Sequence, residues 1–341
     1  VTVAVRDKQA RFTWIGTQAT SNAQCSMAVV GSTIVVVALS SSGTVWVRLV
    51  TDPSILDPTG DPGVGWGFYT ADWATVCTDA LGFNHGDLAL SNNSGTLRLF
   101  YVAADGSEIR CRESVDVGVT WSSSPTVVKA IAGGSTGLHF KLASAGHDDV
   151  FWAHDLSGSE YVYFRAYSGG WGGEKTLIGL YRTSGHYINC GGVSALWRAA
   201  VSKYQVVAAF WDTGYQNGEI ASCYFDPAAE AGDEVSDRRA IVPPGVASPG
   251  FSPLWPQLYA VPALVGGGYL LTYVDKFASA RLSWTSPVCI RSRDFDHWSY
   301  KIPLAFDTSY SKRMCACTLA GVVYLYDVNE AYQLQLWSAG D

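Results

Sequence analysis

Six times along the chain the same unit returns: an apolar strand, a strongly β-forming strand after a short turn, and a third strand after a polar hairpin. The second members are the plainest. They read TIVVVAL from Thr33, LRLFYVA from Leu97, DVFWAHD from Asp149, QVVAAFWD from Gln205, YLLTYVD from Tyr269 and VVYLYD from Val322, so successive units start 52 to 64 residues apart. Third strands follow at Thr44, Glu108, Glu160, Glu219, Ser286 and Tyr332, and first strands precede them at Cys25, Gly86, His139, Ser194, Pro256 and Met314. A small antiparallel sheet cannot bury both faces by itself, whereas copies set around an axis cover one another. The expected fold is therefore all-β, a six-bladed β-propeller forming a single domain over residues 1–341. Its blades fall near 21–75, 76–133, 134–180, 181–244, 245–307 and 308–341. The sixth unit ends after three strands while the chain opens on an orphan, VTVAVRDKQARFTWIG. Residues 1–20 are expected to supply the missing outer strand of blade 6, which removes two sheet edges. A five-bladed ring or a pair of sandwiches is the alternative.

Composition agrees with a large packed β structure: 48% hydrophobic residues, only 16% charged, with 35 Gly for turns and 13 Trp, 18 Tyr and 13 Phe for the core. A net charge of -7 without any block of like charges argues against nucleic acid as a partner, since phosphate binding needs a basic stripe. No apolar run approaches the roughly 18 residues that span a bilayer, so membrane insertion is not expected. The eight cysteines form no C-x-x-C pair and have no histidine at zinc spacing, so neither a metal nor another cofactor is expected. Most sit in apolar strand contexts and read as buried thiols, with disulfides as the alternative; Cys315 and Cys317 should share a strand face. DPTGDPG, Asp57 to Gly63, has a calcium-like spacing of carboxylates but reads as a plain turn.

One short motif stands out. Ser114, Asp116, Gly118, Thr120 and Trp121 form S-x-D-x-G-x-T-W directly after the third strand of the second unit. There Asp116 can accept backbone N–H bonds, Gly118 can take a positive φ, and Trp121 can pack between blades. A degenerate copy, with Ser292, Asp294 and Trp298, stands at the matching place in the fifth unit, with His297 for the threonine and no glycine; the third unit keeps only SGGW, Ser168 to Trp171. The motif resembles the Asp-box of the sialidase family and its relatives. That resemblance implies a six-bladed propeller with the boxes on the face opposite the active site. Sialidase chemistry would further require three arginines clamping a carboxylate, a tyrosine with a glutamate partner, and an aspartic acid/base. The set cannot be assembled here: the family's early Arg-Ile-Pro signature is absent, and Arg182, Arg198, Arg281 and Arg313 are only possible members of a clamp.

The expected ligand site lies instead on loops joining second to third strands and one blade to the next. Tyr181, Arg182, His186 and Tyr187 fall between the third and fourth units, Trp211, Asp212 and Tyr215 in the fourth, and Phe251 and Trp255 at the start of the fifth. Aromatic faces with a few polar groups suit sugar rings. Aspartates recur near the ends of second strands, among them Asp105, chiefly as turn caps; His154 beside Asp155 is a further binding pair to consider. A second resemblance is carried by RLFYVAADGSEIRCRE, Arg98 to Glu113, which is similar to the repeat of six-bladed fucose-binding lectins and implies a secondary pocket near Arg98 and Glu108. The expected function is recognition without catalysis: a glycan-binding or scaffold propeller, part of a larger cell-surface, secreted or virion (phage tail-like) protein, whose partners are a glycan or cell-surface ligand and other subunits of an assembly. A sialidase-like glycoside hydrolase and a protein-binding structural propeller are the alternatives.

Overall fold

The computed structural model describes residues 12–14, 24–51, 73–83, 85–131, 140–154, 161–177, 188–212, 218–230, 232–242, 251–260, 268–278, 283–292, 294–295, 297–298, 302–303, 315–319, 322–328 and 334–339. Among them there is no helix. Every strand belongs to one of six antiparallel four-stranded sheets. β1 (Phe12–Trp14) belongs to the last of these. The first sheet holds β2 (Gln24–Val30), β3 (Thr33–Leu39), β4 (Val45–Val50) and β5 (Ala74–Cys77); the second holds β6 (Leu88–Asn93), β7 (Thr96–Val102), β8 (Glu108–Ser114) and β9 (Thr126–Ala130). The third is β10 (Phe140–Ala143), β11 (Asp149–His154), β12 (Val162–Ala166) and β13 (Lys175–Thr176). The fourth is β14 (Ile188–Arg198), β15 (Lys203–Asp212), β16 (Gly218–Phe225) and β17 (Val235–Val242). The fifth is β18 (Phe251–Ala260), β19 (Tyr269–Ala278), β20 (Ser283–Ser292) and β21 (Ile302–Pro303). The sixth is β22 (Cys315–Leu319), β23 (Val322–Val328) and β24 (Leu334–Ala339), with β1 outside β24. In that last pairing Phe12 faces Trp337, Thr13 faces Leu336 and Trp14 faces Gln335.

Second strands such as β3, β7 and β11 read as near-continuous apolar runs because both of their faces are covered. In β3, Ile34, Val36 and Ala38 pack with Cys25, Met27 and Cys315 of the neighbouring first and sixth sheets. Its alternate residues Val35, Val37 and Leu39 pack on Leu88, Leu97, Leu99 and Tyr101 of the second sheet. The same division repeats in β7, where Leu97, Leu99 and Tyr101 face the first sheet while Phe100 and Val102 join Phe140, Leu142 and Trp152 of the third. Phe151, Phe164, Tyr204 and Phe225 fill the layer between third and fourth sheets, and Val207, Ile220, Leu271 and Tyr273 the layer between fourth and fifth. The first strands of consecutive sheets contact one another in order, from β2 and β6 through to β18 and β22, and β22 contacts β2.

This topology gives every sheet two distinct ends. At one end the first strand begins, the second stops and the third starts; at the other lie the turns joining first to second and third to fourth strands. The antiparallel registers assign residues to an end: His154 faces Phe140, and Trp211 faces Asn189, so both belong to the end where the first strand begins.

Candidate functional site

The S-x-D-x-G-x-T-W hairpin occupies the turn end of the second sheet, between β8 and β9. The Ser114 hydroxyl donates to Asp116 Oδ1 (2.8 Å) and accepts from the Gly118 N–H (2.9 Å). The Thr120 hydroxyl donates to Asp116 Oδ2 (2.6 Å) and the Thr120 N–H to Oδ1 (2.9 Å). Those Thr120 bonds, with the Ser114 bond, hold the Asp116 carboxyl at about 2. Gly118 sits at φ +88, and a Cβ there would lie 3.2 Å from Val35 Cγ1 and 3.3 Å from Leu49 Cδ2, so the hairpin rests directly on the first sheet. Trp121 donates from Nε1 to Gly118 O (3.0 Å) and packs against the same layer.

The fifth sheet repeats this geometry with one residue fewer. Ser292 donates to Asp294 (3.2 Å) and accepts from Phe295 N–H (2.9 Å), His297 takes the place of the threonine at Asp294 Oδ2 (2.9 Å), and Trp298 donates to Phe295 O (3.1 Å). Phe295 therefore stands where Gly118 does, at φ +70, an uncommon conformation for a bulky residue. Its buried ring packs against Tyr269 and Trp298 and lies 5.0 Å from the Arg198 guanidinium. Arg198 also lies over Tyr224 and Tyr269 and donates to the Tyr224 hydroxyl. This arginine is thus held in an aromatic cage at the turn end, away from the opposite face.

At the opposite end, the face of the third sheet that meets the second carries a run of rings. His154 stacks on Phe140 (centroids 5.7 Å, 11° between planes) and lies against Tyr163 (5.4 Å); Tyr163 stacks on Trp152 (5.5 Å, 19°) and meets Tyr161 (6.4 Å). Tyr161 is 37% exposed, whereas His154 and Trp152 are buried. Among the described residues neither the His154 Nδ1 nor the Trp152 Nε1 has a hydrogen-bond partner. Burial, reinforced by the Lys129 charge and opposed by Glu174, lowers the His154 pKa to about 4, so the imidazole is neutral at pH 7. Lys129 of β9 and Glu174 form an ion pair across the two sheets (2.6 Å). Tyr161 and Tyr163 share one face of the third strand, an alternation visible in EYVYFRAY but not singled out from sequence.

Between the first and second sheets lies a second polar group. Asp79 receives Arg110 Nη1 (2.8 Å), Arg112 Nη2 (3.4 Å) and the Tyr101 hydroxyl (3.2 Å), and Arg110 also donates to Glu108 (2.8 Å). Desolvation opposes ionisation of Asp79, but the Cys77 and Tyr101 hydrogen bonds and the Arg112 and Arg110 contacts hold its pKa below the usual value. Asp79 sits in a linker without any motif, so the sequence carried no signal for it. Arg98 has no part in this group. It pairs with Glu113 (2.8 Å) and Asp148 and stacks over Tyr167 (4.7 Å), on the face that meets the third sheet. Arg98 and Glu108, expected to share a pocket, are thus on opposite faces of the sheet: β7 and β8 pair Arg98 with Glu113, which turns Glu108 the other way.

Of the expected loop residues, Tyr181, Arg182, His186, Tyr187 and Tyr215 lie outside the described residues, as do Arg281, Arg313 and the Asp57–Gly63 turn. Trp211 and Asp212 are the last two residues of β15, and Phe251 and Trp255 lie on β18; only their backbone is described. Asp105 caps its hairpin by accepting from the Ser107 hydroxyl (2.6 Å) and N–H (3.0 Å). Among the described residues no group of three His, Cys, Asp or Glu side chains is placed to hold a metal.

No family model matches the chain, and no curated protein does. Solved structures do. The α-L-arabinanase of Penicillium chrysogenum complexed with arabinobiose is similar at a TM-score of 0.60 and 13% identity, over 97% of this chain and 97% of that one. A Trypanosoma rangeli sialidase in complex with the inhibitor DANA matches at 0.51 and 13%, over 80% of this chain and 49% of that one; this chain spans about half the sialidase's length. A polysaccharide lyase of family PL25, an ulvan lyase, matches at 0.51 and 10%, over 97% and 96%. At such identities the likeness shows the fold alone: an all-β, sialidase-like propeller.

Proposed function

We propose that the chain is a six-bladed propeller that recognises glycans without turning them over, as one module of a larger surface, secreted or virion assembly. Six four-stranded sheets, the cyclic order of first-strand contacts and the pairing of β1 with β24 support the blade count. The hairpins at Ser114–Trp121 and Ser292–Trp298 are read as Asp-boxes. Their serine, aspartate and tryptophan side chains bond within the turn, which supports a structural role for them.

The observation that carries the binding reading is the ring series from Phe140 and His154 through Tyr163 to exposed Tyr161. An exposed aromatic face backed by a stacked, rigid series suits a sugar, which offers C–H surface to stack. Strand register puts Trp211, Asp212 and Phe251 at the same end; these, with Trp255 and the sequence candidates Tyr181, Arg182, His186, Tyr187 and Tyr215, are proposed as the rest of the surface. Against a sialidase-type site stands the engagement of four arginines: Arg98, Arg110 and Arg112 are paired with carboxylates, and Arg198 is caged at the other end.

A glycan array run beside a fluorogenic sialoside and a mixed glycoside panel tests the proposal. Binding without turnover, weakened at least tenfold by Tyr161→Ala and by Trp211→Ala with melting unchanged, is the expected result. Turnover of any glycoside would replace the reading with a hydrolase, and absence of glycan binding would replace it with a protein-binding propeller.

A further inference from the structure

We infer that Cys25 and Cys315 are the two halves of a disulfide that clasps the first sheet to the sixth. They stand 290 residues apart in the chain, yet their Sγ atoms are 3.0 Å apart. Both are thiols in the structure. Sulfurs at that separation need to approach by only about 1 Å to reach a bonded distance. Cys25 is fully buried and Cys315 is 3% exposed, within an apolar layer of Met27, Ile34, Val36, Ala38 and Val50. The other described cysteines are placed differently. Cys77, Cys111, Cys190 and Cys223 belong to other layers between sheets. Cys317 shares the Cys315 face of β22, and burial pushes its thiol up to about 12, which leaves it a poor nucleophile.

The position of the pair gives the bond a purpose. Each of the other neighbouring sheets is joined to the next by the continuous chain. The chain passes between the sixth sheet and the first only by way of β1, whose register on β24 is three residues long. If β1 lifts from β24, the two sheets are held to each other by the packing of β2 and β3 against β22. A bond from β2 to β22 closes the same join at the innermost strands and keeps it closed when the edge strand frays.

The oxidant is a low-molecular-weight disulfide such as oxidised glutathione. The thiolate of one cysteine attacks it, its S–S bond breaks and one glutathione leaves; the second cysteine then displaces the other glutathione from the mixed disulfide. Cys25 and Cys315 together lose two electrons and two protons, and two glutathione thiols carry them away. Because both sulfurs are buried, exchange takes place while the sixth sheet is undocked, before closure during folding; once formed, the bond is shielded from reductant.

The test is to refold the full chain in a glutathione redox buffer, alkylate remaining thiols, and map peptides by mass spectrometry without reduction. The expected result is a cross-linked peptide pair containing Cys25 and Cys315, resistance to reductant until the protein is unfolded, and melting several degrees above the fully reduced chain. Cys25→Ser and Cys315→Ser should each remove that gain in melting, and the double variant should lose no more than either. Separate alkylation of Cys25 and Cys315 after oxidative refolding, or their linkage to other cysteines, would overturn the proposal, and the wild-type map decides this even if a serine variant fails to fold. The outcome is independent of glycan binding.

Discussion

At the residue scale, the side chains that matter most are those whose neighbours come from another strand, and these were the least legible in advance. Tyr161 and Tyr163 could be placed on one face by alternation, but the stacking of His154 between Phe140 and Tyr163 depends on the pairing of three strands. Arg98 and Glu108 show the same limit: both lie in one hairpin, and only the register that sets Arg98 opposite Glu113 reveals that they point to opposite faces. The buried imidazole has a consequence in solution. Its pKa is lowered to about 4 in the folded chain from 6.5, so the unfolded state binds the proton first on acidification. The stability this group contributes is complete above pH 6.5 and is lost as the pH falls through about 4, amounting to about 3 kcal/mol. His154→Phe keeps the stacked ring and removes the titration. Denaturant unfolding of both proteins at a series of pH values between 7.5 and 4 should show a shallower decline for the variant; parallel declines would mean that His154 is not the group being protonated.

At the element scale, legibility followed burial. Second strands such as β3, β7 and β11 were visible because they are covered on both faces and read as unbroken apolar runs, whereas most outermost strands are short and β5, β9 and β13 are partly exposed. β13 is two residues and β21 two, and β9 alternates only weakly, with Val127 exposed between Thr126 and buried Val128. The β8–β9 hairpin was visible for a different reason, since Ser114, Asp116, Gly118 and Thr120 satisfy one another locally and need no distant partner. The missing glycine was visible, but not that Phe295 takes its place. The positive φ there is offset by packing of the ring against Tyr269, Trp298 and the Arg198 guanidinium, contacts that come from the fourth and fifth sheets. These hairpins fasten one sheet to the next through their tryptophans. Because Trp121 is half buried and not wholly enclosed, Trp121→Ala should cost about 2 to 3 kcal/mol, below the roughly 3 to 5 typical of a fully buried aromatic. The loss should appear in equilibrium unfolding while glycan affinity stays within twofold, because the hairpin and the ring series lie at opposite ends; a selective loss of binding at unchanged stability would contradict that placement.

At the scale of the whole molecule, the repeat announced the six sheets and the orphan opening strand announced the pairing of β1 with β24, but the individual ligand contacts were out of reach because loops carry no period. The six sheets are bound mainly by apolar layers between neighbours, so the join between sixth and first is the place where chain connectivity adds least. β1 contributes an edge strand there, with Phe12 opposite Trp337 and Trp14 opposite Gln335. Removing residues 1–14 strips the hydrogen-bonding partner from β24 and leaves its backbone groups open to pairing with another copy. Calorimetry of the shortened chain should show melting lowered by several degrees, as expected when a few kcal/mol are lost from a domain of this size. Size-exclusion chromatography should show concentration-dependent association, since an uncovered strand edge is a template for a second chain. Oxidation at Cys25 and Cys315 should reduce the melting deficit, because the clasp holds β22 against β2 whether or not β1 is present, but should leave the association unchanged, because the exposed edge belongs to β24. A shortened chain that melts and elutes like the full one would show that β1 does not hold the sixth sheet in place.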